Sequence, residues 1–299
     1  MTGERLEIGS RSGTATDVWA YPSVLVGLVG SGIQASRTPR LHEREGAEQG
    51  LRYVYKLIDL DALHIDAKAL PDILKAAQYF GLAGLNITHP CKQAIIPLLD
   101  ELSPEAAVLG AVNTVVLKDG RRVGHNTDWW GFAESFRREL PDVRRDRVVQ
   151  FGAGGAGAAV AHALLTLNTG EIVVIDTNAD RADNLVAALR GRFGRSCATT
   201  GVPIAEAMAT ADGMVNTTPL GMAKYPGMAV PVDLLRPDLW VSDIVYFPLE
   251  TELLRQARAR GCRTMSGGGM AVFQAVGSFR LFTGREPDPE RMLQHFSEM

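Results

Sequence analysis

Cysteine is scarce. Only Cys91, Cys197 and Cys262 occur, far apart, with no CxxC motif and no Cys/His cluster. That excludes a disulfide framework and a structural zinc as expectations, predicts no metal site, and fits a reducing cytoplasm. Long apolar runs are also missing. A run such as 24–29 falls far short of the ~18 residues of a membrane span, so no membrane partner is expected. Residues 1–22, MTGERLEIGSRSGTATDVWAYP, lack the apolar core of a signal peptide and read as a polar, poorly ordered lead-in. Neither sign of charge dominates: 31 Lys+Arg against 34 Asp+Glu leaves a net charge of -3. A general nucleic-acid or anionic-surface binder needs a basic excess, so neither role is expected.

What is present is globular. The chain has 299 residues, 46% apolar and 22% charged, enough for one large domain or two ordinary ones. After about residue 23, short β-branched runs (24–29, 53–57, 84–87, 112–117, 147–151, 171–175, 213–215, 240–245) alternate with helical-period stretches (70–79, 93–99, 157–167, 179–192, 205–211, 250–260, 270–282). That alternation predicts α/β architecture on parallel sheets. The charged, proline-containing stretch 140–147 (LPDVRRDR) marks a boundary. The reading is an α/β domain over 23–130 and a second, doubly wound dinucleotide-binding domain over 145–268. The C-terminal helical part, 270–299, packs back on the first, which gives two linker crossings and a hinge.

The strongest local signal is VVQFGAGGAG (148–157), followed by an Ala-rich helix. Gly152, Gly154 and Gly157 fit GxGxxG between a strand and a helix. One glycine makes the tight turn, the next lets backbone approach a pyrophosphate, and the third lets the helix pack on the strand. The helix N-terminus then offers free N–H groups to phosphate. The competing reading is a glycine-rich turn without a ligand. Asp176 ends the next strand, 24 residues after Gly152. There a carboxylate either accepts hydrogen bonds from the adenosine ribose and repels a 2′-phosphate, which favours NAD over NADP, or caps the helix that begins near Ala179. Arg181 stands nearby as a candidate phosphate partner.

The first half carries a polar cluster. Asn86 and Thr88 flank Ile87 and leave one face of an extended segment; Pro90 keeps His89 out of helix. Lys92 then opens a helix, where a cation is electrostatically misplaced. It is there for function, or it snorkels to solvent. Asn113 lies beside a strand. Asp128 opens the 129–140 helix, as a site residue or as an N-cap. Ser36 and Thr38 offer two hydroxyls, again as a site or as caps. Together these groups suit a small polyhydroxylated anion. Trp129 and Trp130 are expected to pack their helix at the domain junction.

With these blocks in place the chain resembles the shikimate/quinate dehydrogenase family over nearly its whole length, about 24–296. The blocks occur in family order: SRTPRLHE (36–43), GLNITHPCK (84–92), GAVNTV (110–115), GHNTD (124–128), GAGGAG (152–157), NTTPLGM (216–222), DIVYFPLETELL (243–254) and GGGMAVFQAV (267–276). The FRLFTG ending (279–284) looks closest to the NAD-linked quinate/shikimate branch. The resemblance implies that Ser36 and Thr38 bind a substrate carboxylate. It implies that Asn86, Thr88, Asn113 and Gln274 bind ring hydroxyls, and that Lys92 and Asp128 form the catalytic pair and also touch substrate. Gly152, Ala153, Gly154, Gly155, Ala156, Gly157 and Asp176 would hold the dinucleotide, with Arg181, Thr217, Met222 and Val245 around it. Gly269 would lie in a loop before the last helix, where backbone approaches the nicotinamide.

Departures carry information too. NADP-linked biosynthetic members have Asn-Arg-Thr where this chain has Asp176-Thr177-Asn178, so the phosphate-binding arginine is absent. Thr38 replaces a serine, and Phe247 stands where biosynthetic members often have asparagine. The implied activity is reversible oxidation of the C3 hydroxyl of quinate or shikimate, with hydride passing to NAD. Lys92 would act as general base, and Asp128 would orient it. The alternatives are an NADP-linked biosynthetic shikimate dehydrogenase, a dehydrogenase of amino-substituted analogues, and a nucleotide sensor without turnover. A monomer or homodimer in the cytoplasm is expected.

Overall fold

The computed structural model describes residues 21–299. The lead-in expected over 1–22 therefore lies outside the described residues except for its last two. The fold is a two-domain α/β structure on two six-stranded sheets.

The front sheet is built from β1 (Ser23–Gly30), β2 (Arg52–Asp59), β3 (Gly84–Ile87), β4 (Glu101–Leu102), β5 (Thr114–Lys118) and β6 (Arg121–His125). Its order is β2-β1-β3-β5-β6-β4. Helices α1 (Thr38–Glu48), α2 (Leu70–Tyr79), the one-turn α3 (Cys91–Ala94) and α4 (Pro104–Leu109) connect the strands. A purely parallel sheet was expected, and this one is mixed: β5 runs antiparallel to both β3 and β6. The cause is local. Asp119 and Gly120 both take positive φ, 51° and 76°, which makes a two-residue hairpin turn. The helix expected over 93–99 shrinks to α3, because Pro97 follows and the chain passes into a 3-10 turn.

After α5 (Asp128–Glu139) the chain enters the second sheet. Its strands are β7 (Arg147–Phe151), β8 (Glu171–Ile175), β9 (Ala198–Thr200), β10 (Gly213–Asn216), β11 (Trp240–Asp243) and β12 (Arg263–Met265), all parallel. Helices α6 (Gly155–Thr166), α7 (Ala179–Phe193), α8 (Ile204–Ala209) and α9 (Glu252–Ala259) cover it. The order β9-β8-β7-β10-β11-β12 is the 3-2-1-4-5-6 order of a doubly wound dinucleotide fold. The central strands are buried on both faces, so they read as continuous apolar runs.

The chain then returns. In α10 (Gly267–Thr283), Phe279 and Phe282 pack with Val26, Leu28, Tyr53 and Tyr55 of the front sheet. Leu41 of α1 joins Val272, Phe273 and Val276 of α10 with Met292 and Phe296 of α11 (Pro289–Ser297). The two crossing helices lie against each other: a Cβ on Gly131 of α5 would meet the Gln274 nitrogen at 2.7 Å. Trp129 stacks edge-on to His162 of α6 and Trp130 edge-on to Phe273, so both tryptophans pack the junction. No helix among the described residues is long and apolar enough to cross a membrane.

Candidate active site

The carboxyl ends of β1 and β3 and the facing ends of β5 and β6 meet at one edge of the front sheet, because Asn86 pairs with Thr114 and Thr114 with His125. That register gathers residues 86–92, 113–114 and 126–128. Lys92 Nζ lies 2.6 Å from Asp128 Oδ2, with side chains only 20% and 9% exposed. Asp128 Oδ1 accepts from Asn113 Nδ2 at 2.8 Å. The carboxylate sits in the first turn of α5, where the helix dipole favours negative charge. It is not the N-cap: the cap residue is Thr127, which makes no side-chain cap bond.

Two expected ligand groups turn out to be engaged within the protein. Asn86 Oδ1 accepts from the Tyr55 hydroxyl at 2.7 Å, and its Nδ2 donates to Thr114 Oγ1 and to the Asn113 carbonyl. Asn113 donates to Thr127 Oγ1 and Asp128, and its Oδ1 accepts from the Thr127 N–H and from Thr114 Oγ1. The carboxamides of Asn86 and Asn113 therefore hold the site together, and their N–H groups have no spare capacity. Ser36 Oγ accepts from the Thr38 N–H at 3.3 Å. Thr88 stays half-buried beside Gly30. Gln274 Nε2 donates to the Ala271 carbonyl, while the Gln274 carbonyl accepts from Thr127 Oγ1.

Tyr246, inside the 243–254 block, was missed as a site candidate. It follows β11 of the second sheet, yet the Asp128 carboxylate of the front lobe acts on it. Enclosure of its hydroxyl first, and that negative charge second, hold it above the ordinary phenol range. Tyr55, also missed, lies behind Asn86, and burial pushes its hydroxyl well above normal. The signal for Tyr246 was its place in the 243–254 block. For Tyr55 there was none, because its partner is set by sheet register.

The second sheet presents its own carboxyl edge. Gly152 takes φ +102°, in the left-handed region, at the turn out of β7. A Cβ on Gly154 would meet nothing within 4 Å, so that surface is open. α6 starts at Gly155 without a side-chain cap, which leaves its first N–H groups for a ligand. Ala153 and Ala156 are half-buried and Gly157 is buried. Asp176 Oδ2 accepts from the Ala153 N–H at 2.7 Å and Oδ1 from the Asn178 N–H at 2.8 Å. The cap of α7 is Asn178, which accepts from the Arg181 N–H, so capping does not explain Asp176. The Arg181 side chain is exposed, as is Met222, which forms a bridge with Tyr225. Thr217 is buried and its hydroxyl bonds backbone of the glycine loop. The Val245 N–H goes to Asp243 Oδ1.

Gly269 differs from expectation. It lies in the first turn of α10, not in a loop, and a Cβ there would meet Ser135 Oγ at 2.1 Å and Glu139 Oε1 at 2.7 Å. Close packing of α10 on α5 is what requires this glycine. Among the described residues no cluster of His, Cys, Asp or Glu is placed to hold a metal.

The model of the shikimate dehydrogenase substrate binding domain matches residues 28–115, and that of the shikimate 5'-dehydrogenase C-terminal domain matches 267–295. A shikimate dehydrogenase (NADP(+)) of Streptomyces avermitilis is 59% identical over 93% of this chain and 96% of its own length. The chain belongs to the shikimate/quinate dehydrogenase family. Within that family, a quinate/shikimate dehydrogenase (NAD(+)) of Corynebacterium efficiens is 50% identical over 92% of this chain and 98% of its own. The solved quinate dehydrogenase from Corynebacterium glutamicum in complex with NAD superposes with a TM-score of 0.87 at 48% identity, covering 93% of this chain and all of that one. Similar members of the shikimate/quinate dehydrogenase family thus carry the names of either cofactor.

Proposed function

We propose that this chain oxidises the C3 hydroxyl of quinate or shikimate reversibly, with NAD as hydride acceptor, to give 3-dehydroquinate or 3-dehydroshikimate. The observation that carries the reading is the enclosed Lys92–Asp128 pair at 2.6 Å on the front-sheet edge, in a chain whose second sheet ends in a glycine loop. When bound, NAD⁺ takes the hydride from the substrate carbon. The protein must remove the hydroxyl proton. Lys92 Nζ accepts it in oxidation and returns it in reduction, and its hydrogen bond stabilises the developing alkoxide. Asp128 aims Nζ and accepts from a second ring hydroxyl. Ser36 and Thr38 take the carboxylate; Thr88, Gln274 and Tyr246 face the ring hydroxyls. Asn86 and Asn113 position their neighbours.

The choice of NAD rests on Asp176. Its carboxylate is anchored beside the glycine loop by two backbone N–H groups, so a fixed negative charge stands where a 2′-phosphate would need a cation. Thr177 supplies none. The open Gly154 surface and the uncapped start of α6 fit a pyrophosphate. The three free, buried cysteines support a reducing, cytoplasmic setting. The test is steady-state kinetics with quinate and shikimate against NAD⁺ and NADP⁺ at equal concentration. Preference for NAD⁺ with either acid is expected. A strong preference for NADP⁺ overturns the reading of Asp176 and favours the biosynthetic shikimate dehydrogenase. Absence of turnover with both acids overturns the activity.

A further inference from the structure

We propose that Gln150 is a positioning residue for the dinucleotide, acting through one peptide plane of the glycine loop. This rests on the reading of that loop as the dinucleotide site. Gln150 is out of character for its place. It lies in the central strand β7 between Val149 and Phe151 and is fully buried, where apolar residues are the rule. Its Oε1 has no hydrogen-bond partner among the described residues. A buried, unpaired acceptor costs folding free energy, so the fold alone would favour an apolar residue of similar size.

What the amide does is tie the loop down. Nε2 donates to the Gly152 carbonyl at 2.9 Å and to the Gly157 carbonyl at 3.0 Å. Thr217 Oγ1 reaches the same Gly152 oxygen at 3.0 Å. A Cβ on Gly157 would lie 2.4 Å from that oxygen and 3.1 Å from Nε2. A side chain at 157 would therefore evict the contact, so the last glycine of the motif makes room for it.

The peptide from Gly152 to Ala153 is thus held at both ends. Its carbonyl points to Gln150 and Thr217; its N–H donates to Asp176 Oδ2 at 2.7 Å. The peptide is planar, so fixing the carbonyl fixes the direction of the N–H. Gln150 thereby sets the orientation of the Asp176 carboxylate as well as the turn that meets the pyrophosphate. A carboxylate free to swing reads a ribose poorly.

The experiment compares wild type with Gln150→Leu, using Gln150→Met if the leucine variant fails to fold. NADH and NADPH binding is followed by fluorescence titration without substrate, with kcat, both KM values and Tm alongside. NADH affinity is expected to fall about tenfold and KM for NAD⁺ to rise in step. The kcat at saturating NAD⁺ and KM for the acid stay within about twofold, and Tm does not fall. Unchanged NADH affinity overturns the proposal. So does a loss of affinity that comes only with a lower Tm and a raised KM for the acid, which marks a merely structural role. If wild type itself binds neither NADH nor NADPH, the reading of the loop fails and the proposal falls with it.

Discussion

Acid should weaken this protein through His42. The residue lies on α1, fully buried, with Nδ1 3.1 Å from the Tyr53 hydroxyl and Nε2 3.4 Å from Ser278 Oγ. Tyr55, Phe279 and Phe282 close around the ring. Hydroxyls satisfy a neutral imidazole. Burial lowers the folded pKa from 6.5 to about 3. Below 6.5 the unfolded chain therefore binds a proton that the folded chain refuses, and stability falls as pH drops from there toward 3. About two pH units below the unfolded value, at pH ~4.5, the loss is about 3 kcal/mol at ~1.4 kcal/mol per unit. His162, buried against Trp129 and Phe193 and lowered to about 4, adds a loss of the same sign. The assay is urea unfolding of wild type and His42→Gln at pH 7 and 4.5. Wild type should lose about 3 kcal/mol more than the variant between the two. Equal losses would refute the assignment to His42.

Three further outcomes follow from the site and its supports. Lys92→Ala should lower kcat roughly a hundred- to ten-thousand-fold and leave KM for the acid within a few-fold, by steady-state kinetics; a change in KM alone would mean that Lys92 only binds. Asp176→Ser combined with Thr177→Arg should move the NAD⁺/NADP⁺ ratio of kcat/KM by at least about tenfold toward NADP⁺; an unmoved ratio would remove Asp176 from cofactor choice. Gly269→Ala should cost about 1–3 kcal/mol by overpacking against Ser135 and Glu139, read as a lower Tm, and Ser135→Gly in that background should restore part of it; an unchanged Tm would show that α5 and α10 are not locked at this point.

The second sheet was legible because its strands are buried on both faces and its turns carry glycine signals. The front sheet was less so. β6 (Arg121–His125) carries two arginines and hides as a polar stretch, although Asp119-Gly120 announces the hairpin before it. α1 is signalled in the sequence only by the cap reading of Ser36 and Thr38, because its face is mostly charged and Gly46 interrupts it, a glycine that a Cβ would drive to 2.4 Å from Tyr53. Lys92 and Asp128 could be named from their blocks. The internal engagement of Asn86 and Asn113 could not, because it depends on which residue of β5 faces which of β3. Gly269 was misplaced for a related reason: a glycine run reads as a loop, and only the approach of a second helix shows why it is helical.

The hydrogen bonds behind the Lys92–Asp128 pair run in one direction. Tyr55 donates to Asn86, Asn86 to Thr114, Thr114 to Asn113, and Asn113 to Asp128 Oδ1. Lys92 donates to Oδ2. Every donor in the chain points toward Asp128, and the α5 N-terminus adds to that bias. Turning the Asn113 amide over would set its NH2 against the Thr127 N–H, and turning the Asn86 amide over would set its oxygen against the Asn113 carbonyl. Asn86 and Asn113 thereby tie the Lys92–Asp128 contact to the front sheet.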